Sequence, residues 1–173
     1  MGKTGSNGAS RLISLTPKAK IPRMTVIGQA HLSESEEIKK LIAEYHRSEG
    51  LAPNKERIAW AVRLQLRDTP GLLLVAREKD AIVGVALAVY TPSAELGRVM
   101  TVNDFFVRPE HRRKGVGRKL VKRLVEECKR MKIDGIGLEV LHGNKTAAAF
   151  WNLVGFRPAD RFLSERNWDR YGR

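Results

Sequence analysis

The densest chemistry in the chain lies at Arg112-x-x-Gly115-x-Gly117. It follows the apolar, aromatic run Val102-Asn103-Asp104-Phe105-Phe106-Val107, which stops at Pro109, and it opens an amphipathic run to Met131. A strand, a basic glycine loop and a helix in that order leave unpaired backbone N–H groups at a helix N-terminus, where the dipole favours an anion. A phosphate must approach this main chain closely, and a Cβ at 115 or 117 would obstruct it. Arg112, Arg113, Lys114 and Arg118 add cationic contacts. The chemistry is therefore phosphate binding. The loop is not a P-loop, since no G-x-x-x-x-G-K-[ST] is present. It is not the dinucleotide pattern either, since the third glycine and the acidic strand end are missing. A basic turn of this kind would also suit nucleic-acid phosphates.

The elements that position the loop follow from hydrophobic period and turn chemistry. Residues 24–29 form a first strand. Ser33-Glu34-Ser35-Glu36 has capping-box spacing, and Ile38, Leu41, Ile42 and Tyr45 recur behind it at helical period. Asn54 caps a second helix with Ile58, Val62 and Leu66 on one face, ended by Pro70-Gly71. The continuous apolar runs 72–76 and 82–90, joined by a charged turn, form an antiparallel hairpin. Residues 98–107 are a third long strand, flowing into the glycine loop. The helix after the loop carries the stripe Leu120, Val121, Leu124, Val125, Cys128 and Met131, so Cys128 is a packed core thiol. Residues 136–141 form another strand and 146–153 a short helix. A further strand follows Pro158, and 162–166 form a last short one.

With 173 residues, 42% of them hydrophobic and 29% charged, the chain suits one domain with a full core. Residues 1–22 read as a basic flexible tail and 23–173 as the folded domain. Met1 to Leu32 hold no Asp or Glu. No apolar run reaches the length of a membrane span. One cysteine excludes an internal disulfide and a multi-cysteine zinc site, and fits a reducing cytoplasm. No metal site is expected. The net charge of +13 leaves open a polyanionic ligand, from a phosphorylated cofactor to nucleic acid or the ribosome.

Several motifs in one order resemble the GNAT superfamily of acyl-CoA-dependent N-acyltransferases. They are Asn103-Asp104-Phe105-Phe106-Val107-x-Pro109, Arg112-x-x-Gly115-x-Gly117, Leu138-Glu139-Val140, Asn144, and Phe150-Trp151-Asn152-Leu153-Val154-Gly155-Phe156. The central strand resembles that of polyamine acetyltransferases, and Leu-Glu-Val that of protein N-terminal acetyltransferases. The resemblance implies an α/β (α+β) GNAT fold, a mixed, mostly antiparallel sheet of about six to seven strands flanked by helices. It implies acetyl-CoA as co-substrate. Phe105, Phe106 and Val107 would pair with the pantetheine amides. Arg112, with the loop Arg113, Lys114, Gly115, Val116, Gly117 and Arg118, would hold the pyrophosphate, and Asn144 and Trp151 would line the cofactor arm. The Val107 N–H would stabilise the oxyanion.

The implied reaction is direct attack of a primary amine on the thioester, the acceptor being a small amine or polyamine, or a protein or peptide amine. Glu139 is the expected base and Asp104 the alternative. Asn103 stands where polyamine acetyltransferases carry Glu, and it cannot serve as a base. Trp151 stands where many members carry a tyrosine, and indole yields no proton near neutral pH. An acyl-CoA sensor without catalysis and a basic nucleic-acid or ribosome-binding module are the alternatives. Glu34, Glu36, Glu37, Glu44, Glu49 and Glu56 make the first two helices acidic, which suits a cationic acceptor or plain helix-surface pairing such as Glu36 with Lys40. The expected partners are acetyl-CoA and an amine, with a homodimer left open and no membrane.

Overall fold

The computed structural model describes residues 24–67 and 70–159. The elements, in chain order, are β1 (Thr25–Gln29), α1 (Ser35–Ser48), α2 (Lys55–Arg67), β2 (Gly71–Glu78), β3 (Ala81–Ser93), β4 (Gly97–Val107), α3 (Val116–Arg130), β5 (Gly135–Leu138) and α4 (Lys145–Leu153). Among the described residues the sheet has five strands in the order β1-β2-β3-β4-β5, fewer than the six to seven expected. The first four pair antiparallel and β4 pairs β5 in parallel. The strands expected beyond Pro158, and the basic segment 1–22, lie outside the described residues.

Both faces of the sheet are covered, so β2 and β3 read as continuous apolar runs rather than alternating ones. Ile38, Leu41 and Ile42 of α1 and Ile58 and Val62 of α2 pack on one face against Leu73, Val75, Val85 and Leu87. Leu120, Val121, Leu124 and Cys128 of α3 and Trp151 of α4 pack on the other against Leu74, Ala86, Met100 and Val102. Burial, with a smaller push from Glu127, raises the Cys128 thiol to about 11, as befits a core thiol rather than a nucleophile.

Three local expectations need correction. The capping box sits two residues earlier than Ser33 and Glu36, since the carboxylate of Glu34 accepts from the His31 backbone N–H at 2.6 Å in a 3₁₀ turn at Leu32–Glu34. Glu36 pairs with Lys39 rather than Lys40. The strand expected over 136–141 stops at Leu138, so Glu139 lies just past a strand end and not in mid-strand. Asn54 does cap α2, accepting from the Arg57 N–H at 2.8 Å.

Glu34 also receives Arg77 Nε at 2.6 Å and Nη2 at 2.7 Å, which ties the entry of α1 to β2. The Arg77 hydrogen bond holds its carboxyl below the usual range against some opposing burial. A depressed carboxyl stabilises above its unfolded pKa and loses that contribution as pH falls through the folded one. Glu34→Gln is therefore expected to cost about 1–3 kcal/mol at pH 7, with the difference shrinking below about pH 4. Urea unfolding at both pH values measures this, and an equal loss at both would contradict it.

Candidate functional site

A bulge in β4 organises the site. Leu87 pairs with Asp104 and Ala88 with Val102, leaving Asn103 as the extra residue of β4. A bulge reverses the alternation of faces along its strand. Met100 and Val102 before it, and Phe105 and Val107 after it, all face the α3–α4 layer. Phe106 faces α1 and α2. Asp104 turns the same way and approaches His46 of α1 at 3.5 Å.

The pairing of β4 with β5 runs from Val99 to Val102 and stops one residue before the bulge. Beyond it, among the described residues, no strand pairs with this side of 103–107. The Arg108 N–H bonds across to Val83 at 3.0 Å, so by alternation Phe106 also faces β3. The N–H groups of Phe105 and Val107 then face the open side. Such an edge accepts an extended, amide-bearing ligand as an added strand.

The open edge runs into the glycine loop. Pro109–His111 forms a 3₁₀ turn, Arg113 (φ 58°) and Gly115 (φ 81°) are left-handed, and α3 starts at Val116. Gly115 has open space around it, so its need is conformational. Gly117 is close-packed, since a Cβ there would stand 3.1 Å from Phe150 Cζ. The obstruction expected at Gly117 thus comes from the chain's own ring. Arg113, Lys114 and Arg118 are exposed around the first turn of α3. Arg112 folds back instead, its Nε donating to the Val107 carbonyl at 2.8 Å and its guanidinium 5.3 Å from the Phe106 ring centre. That bond occupies the Val107 oxygen on the open side and leaves the N–H facing outward.

Between β4, β5, α1 and α4 lies a pocket lined by Tyr45, Glu49, Asn103, Phe105, Glu139, Asn144 and Trp151, among others. Glu139 is exposed there, and its carboxylate makes no bond among the described residues. Asp104 lies outside that lining; burial raises its carboxyl above the usual range, and His46 partly offsets this. Asn144 caps α4, accepting from the Ala147 N–H at 3.0 Å, and its Nδ2 donates to Glu49 at 2.9 Å across the pocket. Trp151 is a packing hub, with ring centres of Phe105, Phe150 and Phe156 at 4.8, 5.2 and 5.0 Å. Glu44 of the acidic segment is held by Arg108, at 3.0 and 3.2 Å, which pins α1 over the end of β4.

Tyr45 and Glu49 belong to no local motif; the signals for them are the apolar stripe and acidic bias of α1. Burial, then Glu49, then Asp104 raise the Tyr45 phenol, so it keeps its proton. Among the described residues, no helix is long and apolar enough to cross a membrane.

The model of the acetyltransferase (GNAT) family matches residues 35–156, from α1 through the end of the aromatic cluster. The thialysine N-epsilon-acetyltransferase of Bos taurus is 31% identical over 74 residues, 43% of this chain and 44% of that protein. The chain spans less than half the length of each of the four curated thialysine N-epsilon-acetyltransferases it matches. A solved "possible acetyltransferase from Clostridium difficile 630" superimposes with a TM-score of 0.74 at 22% identity, over 83% of this chain and 97% of that one. A "predicted acetyltransferase with acetyl-CoA from Clostridium acetobutylicum" does so at 0.73 and 19% identity, over 86% and 100%. At these identities the likeness to the two solved structures is one of fold.

Proposed function

Because the chain belongs to the acetyltransferase (GNAT) family, we propose that it transfers an acetyl group from acetyl-CoA to a primary amine. The observation that carries this reading is the open edge of β4 running directly into the glycine loop at the start of α3. An acyl-CoA has amides for the first and a pyrophosphate for the second. Phe105, Phe106 and Val107 hold the pantetheine. Arg113, Lys114, Gly115, Val116, Gly117 and Arg118 hold the pyrophosphate, with Arg112 bracing the strand end behind them. Asn144 and Trp151 form the wall beside the arm.

In this proposal the Val107 N–H donates to the thioester oxygen as negative charge develops there. Glu139 takes the proton of the attacking amine. Its carboxylate in the pocket, without a partner among the described residues, favours it over Asp104, which is occupied with His46. As the C–N bond forms, the C–S bond breaks and the thiolate leaves. Trp151 supplies no proton to it; the protonated phenol of Tyr45, in the same pocket, is the available donor.

Glu49 and Glu139 give the pocket negative charge, which favours a cationic acceptor. By its name, the Bos taurus relative acetylates a side-chain amine of thialysine, and we extend that class, an amine on a charged small molecule, to this chain. A cytoplasmic location belongs to the same reading, supported by the lone buried Cys128. Release of free thiol from acetyl-CoA across lysine-like amines, polyamines and peptides tests the proposal. Turnover is expected with at least one small cationic amine, and binding of acetyl-CoA without turnover on any amine would favour a sensor instead.

A further inference from the structure

Behind the glycine loop lies a polar chain that the proposed reaction does not use. Glu78, at the end of β2, has a side chain only 5% exposed, and His111, at the end of the 3₁₀ turn, one only 12% exposed. Their Nδ1 and Oε2 atoms are 3.0 Å apart. With Glu78 as a carboxylate, which can only accept, the donor of this bond is the His111 Nδ1–H. The other carboxylate oxygen receives the Thr25 hydroxyl of β1 at 2.8 Å. The chain Thr25–Glu78–His111 thus joins two strands on the far side of the sheet to the residue before Arg112.

The loop needs such an anchor. Arg113 is a non-glycine residue in the left-handed region, and Gly115 follows two residues later. Conformations of that kind persist only where the surroundings over-determine them. The other side-chain bonds of the loop stay local, with Arg112 to the Val107 carbonyl and Lys114 to the Glu110 carbonyl. His111 reaches from the loop to a different part of the sheet. Being buried, its bond is protected from water and costly to lose.

We propose that the Thr25–Glu78–His111 chain is a positioning device for the phosphate loop: it holds the turn in its anion-accepting shape and so sets affinity for the pyrophosphate end of the acyl donor. The inference rests on the acetyl-CoA reading above. His111 is a positioning residue, since its ring is bonded to Glu78 of β2 and acts on the loop through its frame. Fixing the loop beforehand removes its ordering cost from binding.

The test compares CoA with pantetheine, which has the same arm and no pyrophosphate. Both dissociation constants are measured calorimetrically, pantetheine in competition with CoA where its own heat is small, and their ratio is the readout. His111→Leu is expected to reduce the preference for CoA about tenfold. His111→Asn, whose amide nitrogen stands near the place of Nδ1, is expected to restore most of it. Glu78→Gln, which keeps volume and the Thr25 bond, is expected to reduce it less than His111→Leu and serves if that variant does not fold. A general structural role would weaken both ligands equally. Equal weakening, or an unchanged ratio in a folded His111→Leu or Glu78→Gln protein, overturns the inference while leaving the acetyl-CoA reading in place. A wild-type protein that binds neither compound overturns both.

Discussion

Glu139→Gln is expected to lower kcat/KM for a lysine-like amine by about 10²–10⁴-fold near neutral pH. Such an amine has a pKa of about 10.4, so at pH 7.4 about one molecule in a thousand carries the free lone pair. In the proposed mechanism the Glu139 carboxylate removes the proton as attack occurs. The variant must wait for the deprotonated fraction from solution. Its rate should therefore climb with pH toward the amine's own pKa, narrowing the gap to wild type. Glutamine preserves shape and hydrogen bonding, and Glu139 is exposed and outside both cores, so folding should be unaffected. The pH–rate profiles of the two proteins measure this. Superimposable profiles would move the base to the Asp104–His46 pair on the other face of β4.

Trp151→Ala is expected to cost about 3–5 kcal/mol of stability, the usual range for emptying the site of a large buried aromatic. The ring is 8% exposed and meets three others edge-on, from β4, from its own helix and from Phe156 beyond it. Each such pair adds to simple burial. The loss extends to the site, because Phe150 packs against Gly117 at the start of α3 and Phe105 belongs to the open edge. Trp151→Phe, which keeps an aromatic ring, should cost markedly less. Denaturant unfolding of the two variants provides the comparison, and a loss below about 1 kcal/mol for Trp151→Ala would show that the cluster packs without the indole.

The parts of the site legible in the sequence are those specified over a few consecutive residues. Arg112-x-x-Gly115-x-Gly117 marks a helix start because glycine at 115 meets a local, conformational requirement, whereas the close approach of Gly117 to the Phe150 ring depends on a residue 33 positions away. The apolar stripes of α1 and α3 mark their buried faces through helical period alone. Asn54 announces its helix for the same local reason. What stayed hidden depends on partners distant in the chain. The bulge at Asn103 is a property of the pairing with β3, and with the bulge the face of Asp104 changes. The tie between Asn144 and Glu49 joins residues 95 positions apart, and that between His111 and Glu78 residues 33 apart. The run to Leu141 reads as strand by composition, but its pairing with β4 stops at Val102, one residue before the bulge, so it leaves the sheet after Leu138. The folding back of Arg112 is equally invisible in one dimension, since it depends on where the Val107 carbonyl points.

In the proposed reading the open edge of β4 and the start of α3 together accept acetyl-CoA. Calorimetric titration of the full chain with acetyl-CoA and with CoA tests it most directly. One-to-one binding of both is predicted, with a dissociation constant of about 1 μM to 1 mM, the usual span for an enzyme's substrate. Absence of heat with either ligand at millimolar concentration, together with no displacement of one by the other, would contradict it.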